Sequence, residues 1–340
     1  MCESKHWIQP GGLVWRKSFS CYKKRSKVAG EGSMSRSKVL AAVAALAVFV
    51  IVGVRSVKAT DATDAEKYNC DRECLAKISD LYFEALAQHN PSLLPLAPNL
   101  KYSETGTVLK VGEGIWKNAG APTYRMQIFD PRTGGIGIDA VVPDGGVPTI
   151  VALRLKVENH LITEIESVLV RGDDPAVFHA PEKLIQPSRY FTRKLRPAEQ
   201  NSRLELMAAA DAYFRAFETE GTPDYIRAPL LPDTLRFENG LQATNIDLKV
   251  HKATTAAEQF DNAMFKGTKV YDRRYPVVDT DTGVAMALVR FHSNASAPPP
   301  DSSAARGDAF VCEFFAVTQG KIVEIQATWI QPKEQLPTPF

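Results

Sequence analysis

Two stretches of the chain place apolar residues at helical spacing. Leu75, Ile78, Leu81, Tyr82, Ala85 and Leu86 recur at i, i+3 and i+4 intervals, and Leu204, Met207, Ala208, Tyr213, Phe214 and Phe217 keep a looser version of that stripe. Each predicts an amphipathic helix with one face on a core. The two end alike, in "DLYFEALAQHN" (80–90) and "DAYFRAFETEG" (211–221). A Pro/Leu-rich connection follows each, "PSLLPLAPN" and "PDYIRAPLLPD", and then a charged-aromatic turn, "LKYSETG" and "LRFENG". Beyond the turns the pattern changes to strands. "YRMQIFDPRTGGIGIDAVV" (124–142) and "RRYPVVDTDTGVAMALVRF" (273–291) each read as strand, Asp, Gly turn, strand. "TIVALRLKVENHLITEIESVLVR" and "FVCEFFAVTQGKIVEIQATWI" each read as strand, turn, strand.

The matches run in the same order through both halves, which predicts a duplicated module. Tyr82 pairs with Tyr213, Glu104 with Glu238, Asp130 with Asp279 and Glu164 with Glu324. The spacing between partners widens along the chain, as insertions in the second copy would cause. One insertion is the Pro/Ser/Ala-rich "SNASAPPPDSSAARGD" between two strands. The expected organisation is a leader over 1–59, a first unit over 70–170, a linker over 171–202 and a second unit over 203–330. Each unit is expected to be α+β: a curved, mostly antiparallel sheet wrapped on its N-terminal helix, leaving a conical cavity.

The leader carries a sixteen-residue apolar run, "VLAAVAALAVFVIVGV" (39–54), behind Arg36 and Lys38, with "VKA" offering a cut after Ala59. That is the layout of a secretory signal peptide. A retained anchor is the alternative, although the run is short of the roughly 20 residues that span a bilayer; a buried core helix is a third reading. Under the first two the body lies outside the cytoplasm, periplasmic or secreted, and touches membrane only through 39–54. "MSRSKVL" makes Met34 a natural start, so the start residue stays open between Met1 and Met34.

Charge supports this division. The leader takes eleven of the 41 basic residues and two of the 39 acidic ones, leaving 30 and 37 in the body, a net of −7. A mildly acidic body excludes nonspecific nucleic-acid binding, which needs a cationic face. Beyond the leader there are three cysteines. "CDREC" sets Cys70 and Cys74 four residues apart, where a local disulfide or two buried thiols at a helix start both fit; Cys312 reads as core. Spacing along the chain offers no second ligand pair, so no metal site is expected.

Candidate chemistry is sparse. Tyr82 and Tyr213 are phenols that either donate to a ligand or pack as core aromatics. Glu104 and Glu238 sit before Gly106 and Gly240, as general bases at a cone mouth or as turn carboxylates. Arg236 and Asn239 join Glu238 in a polar cluster. Strand alternation puts Arg273 and Arg274 on opposite faces, so at most one points inward. Asp130 and Asp279 read as turn caps. His251 lies in an insertion able to swing over a pocket, and Trp116 reads as core or lining. "GEGIW" lacks the full phosphate-binding pattern, and no nucleophile elbow or metal-binding histidine pair is present, so no cofactor is expected.

The stretches "CDRECL", "LKYSETGTVLKVGEGIW", "LRFENGLQATN", "RRYPVVDTDTGVAMALV" and "EFFAVTQGKIVEIQA" resemble a tandem, exported family of unknown function found in bacteria and fungi. Its units are similar to the nuclear transport factor 2-like (SnoaL-like) cone fold, and the resemblance covers about 70–330. That superfamily holds cofactor-free isomerases, dehydratases, epoxide hydrolases and polyketide cyclases beside plain binding and dimerisation modules, so it implies a fold and not a reaction. Two functions follow. One is a small-molecule binding or assembly module whose two units pack through their sheets as a pseudo-dimer. The other is a cofactor-free lyase, isomerase or hydrolase acting on a hydrophobic oxygenated compound, with Tyr213, Arg236, Glu238 and Arg274 as catalytic groups and Tyr82, Glu104, Trp116, Asn239 and His251 as ligand contacts. Enzyme or not is left open.

Overall fold

The computed structural model describes residues 70–172, 174, 178–247, 252–293, 307–332 and 340. The predicted leader, its cleavage site and His251 lie outside the described residues. Among the described residues no helix is long and apolar enough to cross a membrane.

Helix α1 spans Arg72–Ala87. The Asp71 carboxylate caps it by accepting the Cys74 N–H at 2.9 Å, and Glu73 sits in the first turn, where the helix dipole favours an anion. Its buried face holds Leu75, Ile78, Tyr82, Phe83, Ala85 and Leu86. A short helix, α2 (Arg189–Thr192), lies between the two sheets in sequence. Helix α3 spans Arg203–Thr219 and opens on a reciprocal cap: Glu205 N–H donates to Ser202 Oγ, and Ser202 N–H donates to the Glu205 carboxylate. Its buried face is Leu206, Ala209, Ala210, Tyr213, Phe214, Ala216 and Phe217. The expected stripe is therefore wrong at Leu204 and at Ala208, which is exposed while Ala209 and Ala210 are buried. Leu204 is 75% exposed, and the core begins two residues later, because the cap at Ser202 fixes which residues of the first turn face inward.

Two six-stranded sheets follow the same plan. The first holds β1 (Leu96–Glu104), β2 (Thr107–Val108), β3 (Tyr124–Asp130), β4 (Gly135–Asp144), β5 (Val147–Glu158) and β6 (Leu161–Arg171), ordered β2-β1-β6-β5-β4-β3. The second holds β7 (Leu230–Glu238), β8 (Leu241–Gln242), β9 (Thr268–Asp279), β10 (Val284–Ser293), β11 (Gly307–Thr318) and β12 (Lys321–Ile330), ordered β8-β7-β12-β11-β10-β9. Each sheet is antiparallel except for one parallel pair, β1 with β6 and β7 with β12. Between β8 and β9 the second half adds α4 (Ala256–Asp261), capped by Thr255 and Glu258.

The paired signatures "SETG" and "FENG" are hairpin tips. Thr105 and Gly106 have φ of 49° and 84°, and Asn239 and Gly240 have 47° and 82°. Two successive positive φ values make the turn whose twist matches the flanking strands, which explains Gly in second place. Asn239 is fixed further. Its side chain donates to the carbonyls of Phe178 and Trp329 and accepts from Trp329 N–H. It is fully buried and spent on backbone groups, so its expected role as a ligand contact is replaced by a structural one.

Both faces of the first sheet are buried. Ile136, Ile138, Ala140 and Val142 of β4 join the core under α1, while Val141, Met126 and Ile128 join the core that includes the second sheet. The alternation of a strand thus supplies two cores at once. The sheets approach closely at Gly137, where a Cβ would lie 2.9 Å from Met286 Sδ and 3.3 Å from the Phe314 ring.

Candidate functional site

In the second half the face of the sheet toward α3 carries one compact group of ionisable side chains. Arg236 and Glu238 come from β7, two residues apart and on one face, with the guanidinium 3.0 Å from the carboxylate. Glu313 comes from β11, where Val311, Glu313, Phe315 and Val317 share a face. Tyr213 comes from α3 and interacts with Arg236. Tyr213, Arg236 and Glu313 are almost wholly buried, at 1%, 4% and 4% exposure. Burial pushes the Glu313 carboxyl up to about 8, with Arg236 opposing the shift and Glu238 adding to it. Glu313 is therefore protonated at neutral pH. Burial also raises the Tyr213 phenol, so it stays a neutral donor.

The walls are aromatic. The Tyr213 ring meets Phe217 at 5.1 Å, Phe315 at 5.3 Å and Phe260 of α4 at 5.6 Å, each edge to face. Such pairs contribute about 0.5–1.5 kcal/mol each beyond area burial. Phe265 lies 4.9 Å from the Arg236 guanidinium, in cation–π contact. Against this packing, Arg236 Nε and Glu313 Oε2 are buried without a hydrogen-bond partner among the described residues. A buried polar atom left unpaired costs about 1–3 kcal/mol, so both are places where a ligand atom would be favoured.

The equivalent place in the first half differs. Tyr102 pairs in register with Ile165 as Arg236 does with Ile325, and Glu104 pairs with Ser167 as Glu238 does with Ala327. Leu153 opposite Ser167 stands where Glu313 stands opposite Ala327. Here the carboxylate is satisfied: Glu104 accepts from the Tyr102 hydroxyl and from Ile115 N–H at 2.7 Å, with Arg171 at 3.9 Å. Burial still raises its carboxyl. Tyr82 and Trp116 stack edge to face at 5.4 Å above it. Glu104 is thus a buried bracket for the Gly114–Lys117 turn and not a base at an open mouth; Tyr82 and Trp116 are core aromatics.

Arg274 is not part of the Arg236 group. Its guanidinium meets Glu166 of the first sheet in two bonds, 2.9 and 2.6 Å, and Arg154 donates to the Oε2 of the same carboxylate at 3.4 Å. It joins the sheets, because alternation turns it away from α3. Arg273, on the opposite face, pairs with Asp211 and Glu218 of α3. Sequence reasoning missed Glu313. The signal was present: one acid at an inward position of an otherwise apolar alternating strand.

Residues 199–329 match a family model described as a domain of unknown function (DUF8021). No curated protein matches the chain. Solved structures with a likeness include a protein of unknown function with a cystatin-like fold from Methylobium petroleophilum PM1, 15% identical, covering 40% of this chain and 82% of that one with a TM-score of 0.29. An uncharacterised cystatin-like protein from Caulobacter vibrioides is 16% identical over 38% of this chain and 89% of that one, with a TM-score of 0.27. IdmH from Streptomyces antibioticus, named as a candidate polyketide cyclase, is 15% identical over 36% and 91%, with a TM-score of 0.22. At these identities and scores the likenesses carry no functional argument. The matched stretch, residues 199–329, takes in most of the second sheet-and-helix unit of this chain, which is similar to that family of domains of unknown function.

Proposed function

We propose that the chain is an exported tandem SnoaL-like protein whose second unit binds a small, hydrophobic, oxygenated molecule. The observation that carries this is the pair of unpartnered buried atoms, Arg236 Nε and Glu313 Oε2, inside an aromatic wall. A carbonyl or carboxylate oxygen would accept from Arg236. A second acceptor on the same molecule would take the Glu313 proton. The rings of Phe260, Phe265 and Phe315 suit an apolar skeleton and offer a water-soluble polar compound little. The first unit, with Leu153 and a satisfied Glu104, serves in this reading as the packing partner of a pseudo-dimer. Export, to the periplasm or outside the cell, rests on the predicted leader alone, with a membrane-anchored form as the alternative.

A second reading is favoured by one observation. A carboxyl that titrates at about 8 beside a fixed cation is suited to proton transfer at neutral pH. Glu313 would then donate a proton while Arg236 stabilises a developing oxyanion, as in cofactor-free lyases and isomerases. A thermal-shift screen of oxygenated hydrophobic compounds tests both, with Glu313→Gln and Glu238→Gln as controls. Stabilisation of the wild-type chain that shrinks in Glu313→Gln supports binding at this place. Turnover of a stabilising compound, lost in Glu313→Gln, supports catalysis. No stabilisation across a broad set, or stabilisation indifferent to both substitutions, overturns the assignment.

A further inference from the structure

Far from the Arg236 group, the start of α1 meets the tip of the β5–β6 hairpin. Cys70 and Cys74 are joined by a disulfide there. The hairpin brings His160, 86 residues further along the chain, to 3.4 Å from Cys74 Sγ through its Nδ1. The two sulfurs and one histidine nitrogen all lie within 4.8 Å of one another. Cys74 and His160 also line an open pocket of about 360 Å³ with Asp71, Glu73 and Lys77.

The second half shows that the fold does not need this trio. Its matching positions are Asn201 before α3 and Gly320 in the β11–β12 turn, and there Gly320 N–H simply donates to Asn201 Oδ1 at 3.4 Å. That turn uses Gln319 and Gly320 with φ of 50° and 72°; the first half uses Asn159 and His160 with φ of 51° and 62°. A histidine in the left-handed region, where the sister turn has glycine, carries a steric cost of about 1–2 kcal/mol. The first half bears it and gains an imidazole beside two sulfurs.

We propose that Cys70, Cys74 and His160 form a zinc site whose availability is set by the state of the disulfide. A dithiol reductant opens it: the reductant is oxidised to its own disulfide, and Cys70 and Cys74 each receive one hydrogen. A zinc ion then displaces the two thiol protons to solvent and binds two thiolates and His160 Nδ1, with water in the fourth position. Two sulfurs and one imidazole are a soft, borderline donor set that suits zinc over magnesium or calcium. The helix N-terminus favours the thiolate form. Disulfide and metal compete for the same sulfurs, so an oxidised chain binds no zinc here.

Cobalt(II) titration of the full chain tests this, because thiolate-to-cobalt charge transfer and tetrahedral d–d bands report the donors. After reduction by a phosphine and its removal under argon, the wild-type chain is expected to take up one cobalt per chain with both signals, and zinc to displace it. The oxidised chain and reduced Cys74→Ser should show neither band. Reduced His160→Ala should bind at least about ten-fold more weakly, the loss that removal of even an outer-sphere partner causes. Absence of thiolate bands in reduced wild type overturns the proposal, as does loss of native circular dichroism on reduction. Equal affinity in His160→Ala also overturns it.

Discussion

Asp130 and Asp279 bind the two sheets to each other reciprocally. Asp130 accepts the backbone N–H of Val278 at 3.1 Å, and Asp279 accepts that of Phe129 at 3.1 Å. Each also takes an arginine from the start of the opposite helix, Arg203 for Asp130 and Arg72 for Asp279. The pattern is that of a two-fold interface, in which i meets j and j meets i, here made within one chain. Asp279 additionally accepts from Asp281 N–H and Thr282 N–H of its own turn. The expectation of turn capping thus holds as a second role for Asp279, and for Asp130 it is replaced by the cross-sheet clamp.

Breaking either clamp should be costly. Both carboxylates are almost wholly buried, and removing one strands a backbone donor; loss of Asp130 also takes the partner of Arg203, whereas Arg72 keeps Asp281 at 3.3 Å when Asp279 is lost. Asp130→Ala and Asp279→Ala are each expected to lower stability by about 2–4 kcal/mol, with Asp279→Ala the larger because it also frees its turn. Chemical denaturation measures this. Adding Arg203→Ala to Asp130→Ala should cost little more; a fully additive double mutant would refute the pairing.

Gly114 should be irreplaceable for two separable reasons. Its φ is +63°, and a Cβ there would stand 2.3 Å from the Glu104 carboxylate oxygens. Gly114→Ala is expected to lose about 1–3 kcal/mol from the backbone strain and more from the clash. In a Glu104→Ala background the clash disappears, so the same substitution should cost measurably less. Equal costs in both backgrounds would show that Glu104 does not occupy this place.

Much of this arrangement was legible in the sequence, and the reasons are local. Helix stripes, hairpin turns and strand alternation are short-range signals, so both halves and their order could be read. Tyr213, Arg236 and Glu238 lie on elements whose inward faces alternation predicts, and the structure brings the three together. Partners across the sheet interface were not legible. Nothing near Arg274 in sequence announces Glu166, and nothing near Asp130 announces Arg203, because both pairs depend on how one half docks on the other. His160 escaped for the same reason: only the hairpin's approach to α1 brings its imidazole beside Cys70 and Cys74. Glu313 escaped because its apolar neighbours made the strand read as pure core.

Glu313 should show a protonated carboxyl at neutral pH. Its folded value of about 8 lies above the ordinary glutamate range, so the neutral form dominates below that pH and ionises above it. Infrared difference spectroscopy between pH 6 and pH 9.5 should reveal a carbonyl stretch of a protonated acid that fades as pH rises. Asp139 and Glu220, both raised to about 7, contribute to the same region, so Glu313→Gln should weaken the band and remove its last component to fade, the one centred near pH 8. A band of unchanged intensity and pH dependence in that variant would show that Glu313 is not a protonated acid.

Asp139 gives the opposite test, of stability and not of chemistry. It is fully buried between the sheets, where Thr328 Oγ donates to Oδ1 at 3.0 Å and the Gln326 amide donates to Oδ2. Burial raises its carboxyl to about 7, and the two hydrogen bonds only partly offset this. The sign follows from proton counting. Between about 3.8, where the unfolded carboxyl titrates, and about 7, the folded chain holds a proton that the unfolded chain has released. Stability from this group is therefore greatest below pH 3.8 and falls as pH rises to about 7, by an amount on the order of 4 kcal/mol. Asp139→Asn keeps the shape, since its amide can donate to a Thr328 hydroxyl turned to accept. It should be more stable than wild type at pH 8 and no more stable at pH 4, as read by urea denaturation at each pH. A variant less stable than wild type at pH 8 would show that the ionised carboxylate is the form the interface holds.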